Sequence, residues 1–305
     1  MDGVRDRAVG SILGLALGDA LGAPFEFRRR AAIPVPLPAF ELPWMGLAPG
    51  TWTDDTAMAR NLWTSLIDRG GELELDDVLA RHLAWLASGP PDVGNLTRKV
   101  LSGWRDGDED PAREYVERRG PEVSAGNGSV MYCAPLGVVR ALDPAPLLEE
   151  APALSALTHR DERCRTACLA VTRAVAALVS GQPADAAIPA AVAEVAEREG
   201  GEELEYLAAE AGLARPIDGP DMGFTLFTAG VALRVAAEAL DVESGLREVV
   251  AFGGDTDTNA AVAGALLGAR FGQGGLPGTW LATLVDRAAI EAEAEALASS
   301  IGGNR

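Results

Sequence analysis

The residues best suited to chemistry in this 305-residue chain are aspartates gathered in two short segments. One is Gly50-Thr51-Trp52-Thr53-Asp54-Asp55-Thr56; the other is Gly253-Gly254-Asp255-Thr256-Asp257-Thr258. Each runs directly into a stretch with helical patterning. A single Asp, Thr or Asn before a helix is an ordinary cap, favoured by the free N–H groups and the positive end of the helix dipole. Capping explains one such residue per helix. It does not explain an adjacent pair in one place and an Asp-x-Asp in another. Hard divalent cations explain the density better, because Mg2+ and Mn2+ take oxygen ligands from carboxylates, hydroxyls and water. Asp54 and Asp55 diverge around a helix start and can face different ions. Asp255 and Asp257, read as extended chain, point to one side, with Thr258 following as the helix begins. With Thr53 added, these carboxylates and hydroxyls suffice for two metals about 3.5–4 Å apart. On spacing alone, multiple capping stays open.

Other candidates carry weaker signals. Gly126-Asn127-Gly128-Ser129 is a polar, flexible loop opening a helix, where free N–H groups suit phosphate oxygens. An Asn/Ser cap explains it as well. Only two histidines exist, His82 and His159, which excludes histidine-rich metal sites of the zincin kind. His82 falls on an amphipathic helix and reads as structural. His159 lies just ahead of a helix, where a ligand contact and a cap are both open.

These segments need a scaffold, and the composition predicts a helical one. Hydrophobic residues make up 48% of the chain, led by alanine, while aromatics are only 5%, so disorder is not the default. Gly10, Gly14, Gly18 and Gly22 recur every four residues along a helix predicted over 4–21, forming a bare stripe suited to close packing against a second helix. Pro34, Pro36, Pro38, Pro43 and Pro49 break any helix and predict a long surface loop. Further helices are predicted over 56–69, 75–87, 130–141, 161–179, 186–199, 202–211, 224–239, 259–271 and 278–301. No stretch alternates convincingly over a strand's length, and no linker divides the chain. The expected architecture is all-α, one many-helix domain over 1–305.

The charge balance, 45 acidic against 26 basic residues and a formal −19, argues against a broad nucleic-acid-binding face. Cys133, Cys164 and Cys168 form no CxxC pair and read as reduced packing residues. The N-terminus, with Asp2, Arg5, Asp6 and Arg7, lacks a signal-peptide pattern. The apolar stretch over 9–25 is interrupted by Asp19 and falls short of the ~20 residues of a membrane span. No membrane association and a cytoplasmic location are the expectation.

In their order along the chain, GLALGDALGAPFEF (14–27), GTWTDDTAM (50–58), DVGN (92–95), GNGSVMYCAPLG (126–137), THRDERC (158–164) and GGDTDTNAAVAGALLGA (253–269) resemble the ADP-ribosylglycohydrolase family. The resemblance implies a compact helical bundle with a central dinuclear cleft that cleaves ADP-ribose from a modified protein or a small conjugate. It implies two Mg2+ or Mn2+ ions on Thr53, Asp54, Asp55, Asp255, Asp257 and Thr258, with Asp55 also among the catalytic residues. Glu26 would sit near the scissile ribose and Asp92 would take part in acid/base work. Asn127, Gly128 and Ser129 would contact the diphosphate, and His159 would help hold the ADP-ribose. The chain departs from the family pattern at Tyr132, where arginine is common, at Leu96 before Thr97, and at Asn259. These departures leave the ligands intact and bear on the aglycone.

Two rival readings stand beside this resemblance. A haloacid-dehalogenase-type phosphatase carries Asp-x-Asp after a strand, and Val249-Val250-Ala251-Phe252 superficially supplies one. The alternating strand–helix pattern of that class is missing. The other rival is a member of the same family that binds ADP-ribose without turnover.

Overall fold

The computed structural model describes residues 2–120, 123–209 and 215–302. Among them the chain forms fifteen α-helices: α1 Asp2–Gly22, α2 Asp54–Asp68, α3 Leu75–Ala87, α4 Asn95–Asp106, α5 Pro111–Arg119, α6 Ala134–Val139, α7 Leu147–Ala156, α8 Glu162–Ser180, α9 Ala184–Glu194, α10 Gly201–Ala208, α11 Thr225–Glu238, α12 Val242–Ala251, α13 Thr256–Phe271, α14 Gly278–Leu281 and α15 Arg287–Ser299. The extended structure with a ladder is a two-residue antiparallel pair, β1 Arg28–Arg29 with β2 Gly253–Gly254. The all-α expectation holds.

At the centre, α1 and α13 run antiparallel with their backbones in contact. A Cβ on Gly10 would lie 2.5 Å from the Gly268 carbonyl oxygen. On Gly14, Gly18 and Gly22 it would collide with the carbonyl oxygens of Gly264, Ala260 and Thr256. Both helices thus present small residues every fourth position, and the two backbones meet with no side chain between them at these points. Each interior glycine costs about 1 kcal/mol of helix propensity, which the close packing along this seam offsets. Around the pair, α8, α11, α12 and α15 complete the core.

By length and composition α1 with its extension to Phe25 is apolar enough to cross a membrane, a wider stretch than the 9–25 read from sequence. In the fold, 94% of its apolar window is buried inside the protein, so its apolarity is used by the core. The proline-rich loop between α1 and α2 is non-helical as expected, anchored by the buried side chains of Ile33, Leu37 and Trp44.

Several elements differ from the sequence reading. Helices α4, α5, α7 and α12 were not predicted. The helix read over 130–141 shrinks to α6, with Pro135 in its first turn. The one read over 278–301 breaks into α14 and α15, with Asp286 in the left-handed region at the second start. The end of the helix read over 202–211 lies outside the described residues. Val249–Ala251 finish a helix, and the strand directly ahead of Asp255 is the two-residue β2 of an isolated antiparallel pair, so the phosphatase reading, which needs alternating strands and helices, fails on architecture.

Candidate active site

The site is built where three helix-linked segments meet. At the start of α2, Thr53 is the N-cap, and its Oγ1 accepts from the Asp55 N–H at 3.4 Å. The next free N–H group, that of Thr56, is satisfied from a different helix. Asp19 of α1 accepts from the Thr56 N–H at 2.9 Å, the Thr56 hydroxyl at 2.5 Å and the Thr53 N–H at 3.0 Å. With both caps supplied by other groups, the Asp54 and Asp55 carboxylates are left for other work. Asp54 Oδ2 accepts the Gly94 N–H at 3.1 Å, which ties the segment carrying Asp92 to α2.

At the start of α13, Asp255 holds the N-cap position, yet its side chain makes no cap bond. The helix begins at Thr256, so Asp257 sits in its first turn; the extended reading of 255–257 does not hold. Asp257 Oδ1 accepts the Thr258 N–H at 2.9 Å, and the Thr256 hydroxyl donates to the Gly22 carbonyl at 2.8 Å. Glu26 arrives from the end of α1. Its neighbour Phe27 donates its N–H to the Gly254 carbonyl at 2.8 Å, and Arg28 pairs with Gly254 and Arg29 with Gly253. Both glycines adopt left-handed φ (71° and 79°), and a Cβ at Gly253 would stand 2.6 Å from the Arg30 nitrogen. This small ladder brings ligand oxygens of Glu26, Asp255 and Asp257 within 4.8 Å of one another. Glu26 therefore stands among the oxygens able to hold a cation, a place that sequence assigned only to the aspartates and threonines.

A cleft of about 410 Å³ opens over this cluster. Glu26, Asp54, Asp55, Asp92, Asp255, Asp257 and Thr258 line its acidic side. Asn127, Gly128 and His159 line the cleft as well. Thr53 is buried at the base, with its hydroxyl 3.1 Å from Asp55 Oδ2. The candidate residues converge, with two qualifications. Ser129 does not line the cleft: its hydroxyl meets that of Ser155 at 2.9 Å in the core, close to the Cys168 thiol. Asn127 uses its own N–H on the Gly223 carbonyl, and its amide donates to Asp255 Oδ2 at 2.9 Å and to Thr228 at 3.1 Å. Asn127 thus orients an aspartate.

Electrostatics distinguish the acidic side from an ordinary charged surface. Burial, with the neighbouring Asp255, Asp92, Asp54 and Asp19, pushes the Glu26 carboxyl up to about 9. Burial first, then Asp92, raises Asp54 to about 7. Asp55 and Asp257 rise well above the ordinary carboxylate range, both mainly through burial, and Asp92 rises for the same reason. Among the described residues no arginine, lysine or histidine forms an ion pair with any of the cleft carboxylates. One buried oxygen, Asp55 Oδ1, has no hydrogen-bond partner. Carboxylates gathered without an ion-pair partner, and a buried acceptor without a donor, fit a hard divalent cation. In the same cleft, burial lowers His159 to about 3, so the ring is neutral. Its Nδ1 meets the Thr158 hydroxyl at 2.9 Å, and that hydroxyl lies 3.3 Å from the Tyr132 hydroxyl. His82 is buried with Nδ1 on Asn61, a structural role as expected, and all three cysteines are free and buried.

Sequence reasoning missed Asp19, Thr228 and the supporting role of Asn259, whose Oδ1 accepts the Thr228 hydroxyl at 2.7 Å. A lone acid inside an otherwise apolar, glycine-striped helix was the available signal for Asp19.

Fold and site together define an all-α protein whose acidic cluster is assembled at helix starts over a cleft. The description ADP-ribosylglycohydrolase matches residues 1–305, and the chain belongs to that family. Its reaction is the hydrolysis that frees ADP-ribose from a modified target. The chain is 32% identical over 290 residues to the ADP-ribosyl-[dinitrogen reductase] glycohydrolase of Rhodospirillum rubrum, covering 92% of this chain and 91% of that one. It is 27% identical over 285 residues to an ADP-ribosylarginine hydrolase of Pseudomonas putida, covering 90% of this chain and 73% of the relative. A solved structure titled ADP-ribosylglycohydrolase-related protein complex superposes with a TM-score of 0.82 at 32% identity, covering 98% of this chain and 99% of that one.

Proposed function

We propose that this protein removes ADP-ribose from arginine side chains of proteins, using two divalent cations, Mg2+ or Mn2+, held by Thr53, Asp54, Asp55, Asp255, Asp257 and Thr258, with Glu26 beside them. Arginine is favoured because two relatives act on arginine-linked or dinitrogen-reductase-linked ADP-ribose by name, and a cationic guanidinium suits an acidic cleft. The observation carrying the reading is the carboxylate cluster, without ion-pair partners, around the unpartnered Asp55 Oδ1.

When bound, the cations would neutralise the cluster and fix the ribose hydroxyls. The chain's own groups do the rest. Cleavage develops positive charge at the anomeric carbon, and the carboxylates facing it lower that charge's energy. Asp92, half-buried in the cleft with its carboxyl pKa raised by burial, passes a proton to the departing nitrogen. Glu26, fixed by the β1–β2 ladder, orients the attacking water. Gly128 and the neutral His159 ring hold the ADP-ribose from the cleft wall. A reducing compartment such as the cytoplasm suits the three free, buried cysteines.

The test is release of free ADP-ribose from arginine-linked and serine-linked ADP-ribosylated protein with Mg2+, Mn2+ or EDTA. Metal-dependent release from the arginine linkage is expected. Release from serine alone overturns the aglycone, undiminished release in EDTA overturns the cation assignment, and ADP-ribose binding without release establishes a binding-only protein.

A further inference from the structure

Three consecutive arginines, Arg28, Arg29 and Arg30, follow Glu26 and Phe27 at the mouth of the cleft. Residues 27–32 are all exposed, and Phe27, 66% exposed, itself lines the cleft. The positive charges therefore begin one residue from the cleft wall. Most arginines elsewhere are held in ion pairs with Asp or Glu, whereas no ion pair among the described residues involves these three. Their partners orient them without neutralising them. The Arg28 guanidinium lies 5.6 Å from the Phe25 ring centroid and that of Arg30 5.4 Å from the Phe252 centroid. Arg29 donates to the Asp218 carbonyl oxygen at 2.6 Å, while the Asp218 carboxylate accepts the Arg30 backbone N–H at 2.8 Å. The β1–β2 ladder fixes this triplet beside the acidic cluster, in a chain whose formal charge is −19.

On a chain of net negative charge, these exposed guanidinium groups beside the cleft offer an acidic protein an attractive contact. We propose that Arg28–Arg30 form a docking lip that receives the acidic protein surface surrounding the modified arginine. This rests on the arginine-linked reading above. The lip acts on encounter and KM for macromolecular substrates, because electrostatic steering depends on charge outside the chemistry and is screened by salt.

The experiment compares free ADP-ribosyl-arginine with two arginine-ADP-ribosylated peptides, one flanked by glutamates and one by lysines, on wild type and on Arg28→Glu/Arg30→Glu. Wild type is expected to favour the glutamate-flanked peptide by about tenfold in kcat/KM at low ionic strength, with the preference collapsing near ~0.5 M salt. The variant is expected to reverse the preference and to keep turnover of the free conjugate. An absent flank preference in wild type overturns the lip. So does an equal loss on the free conjugate, which would place these guanidinium groups on the ADP-ribose diphosphate. Failure of wild type to cleave the free conjugate strikes the arginine-linked reading instead. The lip is then read from binding of the unmodified peptides, where the glutamate-flanked one is expected to bind more tightly and equal affinity refutes it.

Discussion

Removing the Asp19 carboxylate should disable the enzyme without touching the cleft. In Asp19→Ala the Thr53 and Thr56 N–H groups and the Thr56 hydroxyl lose their acceptor in a fully buried place. Buried donors left unpaired cost about 1–3 kcal/mol each. The three donors together cost roughly 3–9 kcal/mol, and relief of a buried carboxyl raised to about 6 returns about 3 kcal/mol, so the net destabilisation centres on roughly 3 kcal/mol by equilibrium urea unfolding. The kinetic effect should be larger. The start of α2 carries Asp54 and Asp55, and a shift of about 1 Å in reacting geometry is enough for roughly a hundredfold loss. ADP-ribose release at saturating cation is therefore expected to lose about two orders of magnitude in kcat/KM, with Asp19→Asn between the two because one acceptor oxygen remains. A folded Asp19→Ala protein with wild-type kcat/KM would refute the claim that this residue positions the site, whatever its stability.

Other outcomes follow from the same geometry. Gly18→Ala sets a methyl against the Ala260 carbonyl, which is backbone and cannot rotate away, so about 3 kcal/mol of stability should be lost; an unchanged urea midpoint would contradict the backbone contact. Asn127→Leu should raise the half-maximal cation concentration by roughly tenfold, since Asp255 loses its orienting donor; a rise in KM for substrate alone would return Asn127 to diphosphate contact. In cation-free protein, Asp19, Asp54 and Glu26 hold protons to about 6, 7 and 9, whereas the unfolded chain releases them near 4. The unfolded state then binds fewer protons between pH 4 and 9, so stability should fall as pH rises through that window. Adding Mg2+ or Mn2+ at pH 8 should restore Tm, and a Tm that rises with pH in EDTA would contradict the sign.

Much of the architecture was legible because its signals were local. The glycine stripe of α1, the helix over 75–87 and the aspartate-rich starts of α2 and α13 each follow from spacing or capping chemistry within a few residues. Two of the missed helices lacked that clarity: α7 carries Pro152 inside it, and α5 is more than half charged. Helices α4 and α12 did carry it, since both are amphipathic and α12 opens on an Asp241–Ser244 capping box, and their interior Gly103 and Gly245 masked the signal. The cleft residues were found individually, but their division of labour was not. Asp19 looked like an interruption until α1 lay beside residues 53–56. The commitment of the Ser129 and Asn127 side chains to Ser155 and Asp255 had no local signal either, because both partners are distant in sequence.

The seam between α1 and α13 works like a screw thread that sets the gauge of the cleft. Glu26 hangs from one end of α1 and Asp257 from the facing end of α13, so their separation depends on which glycine meets which carbonyl along the thread. A slip of one helical turn would move one past the other by about 5.4 Å, far beyond the reach of a shared ion. Gly10 and Gly268 lie about 18 Å along the axis from that end and touch nothing in the cleft, yet a wedge there tilts the whole lever. Natural variation at these distant, chemically mute positions should therefore surface as altered catalysis before it surfaces as an altered fold.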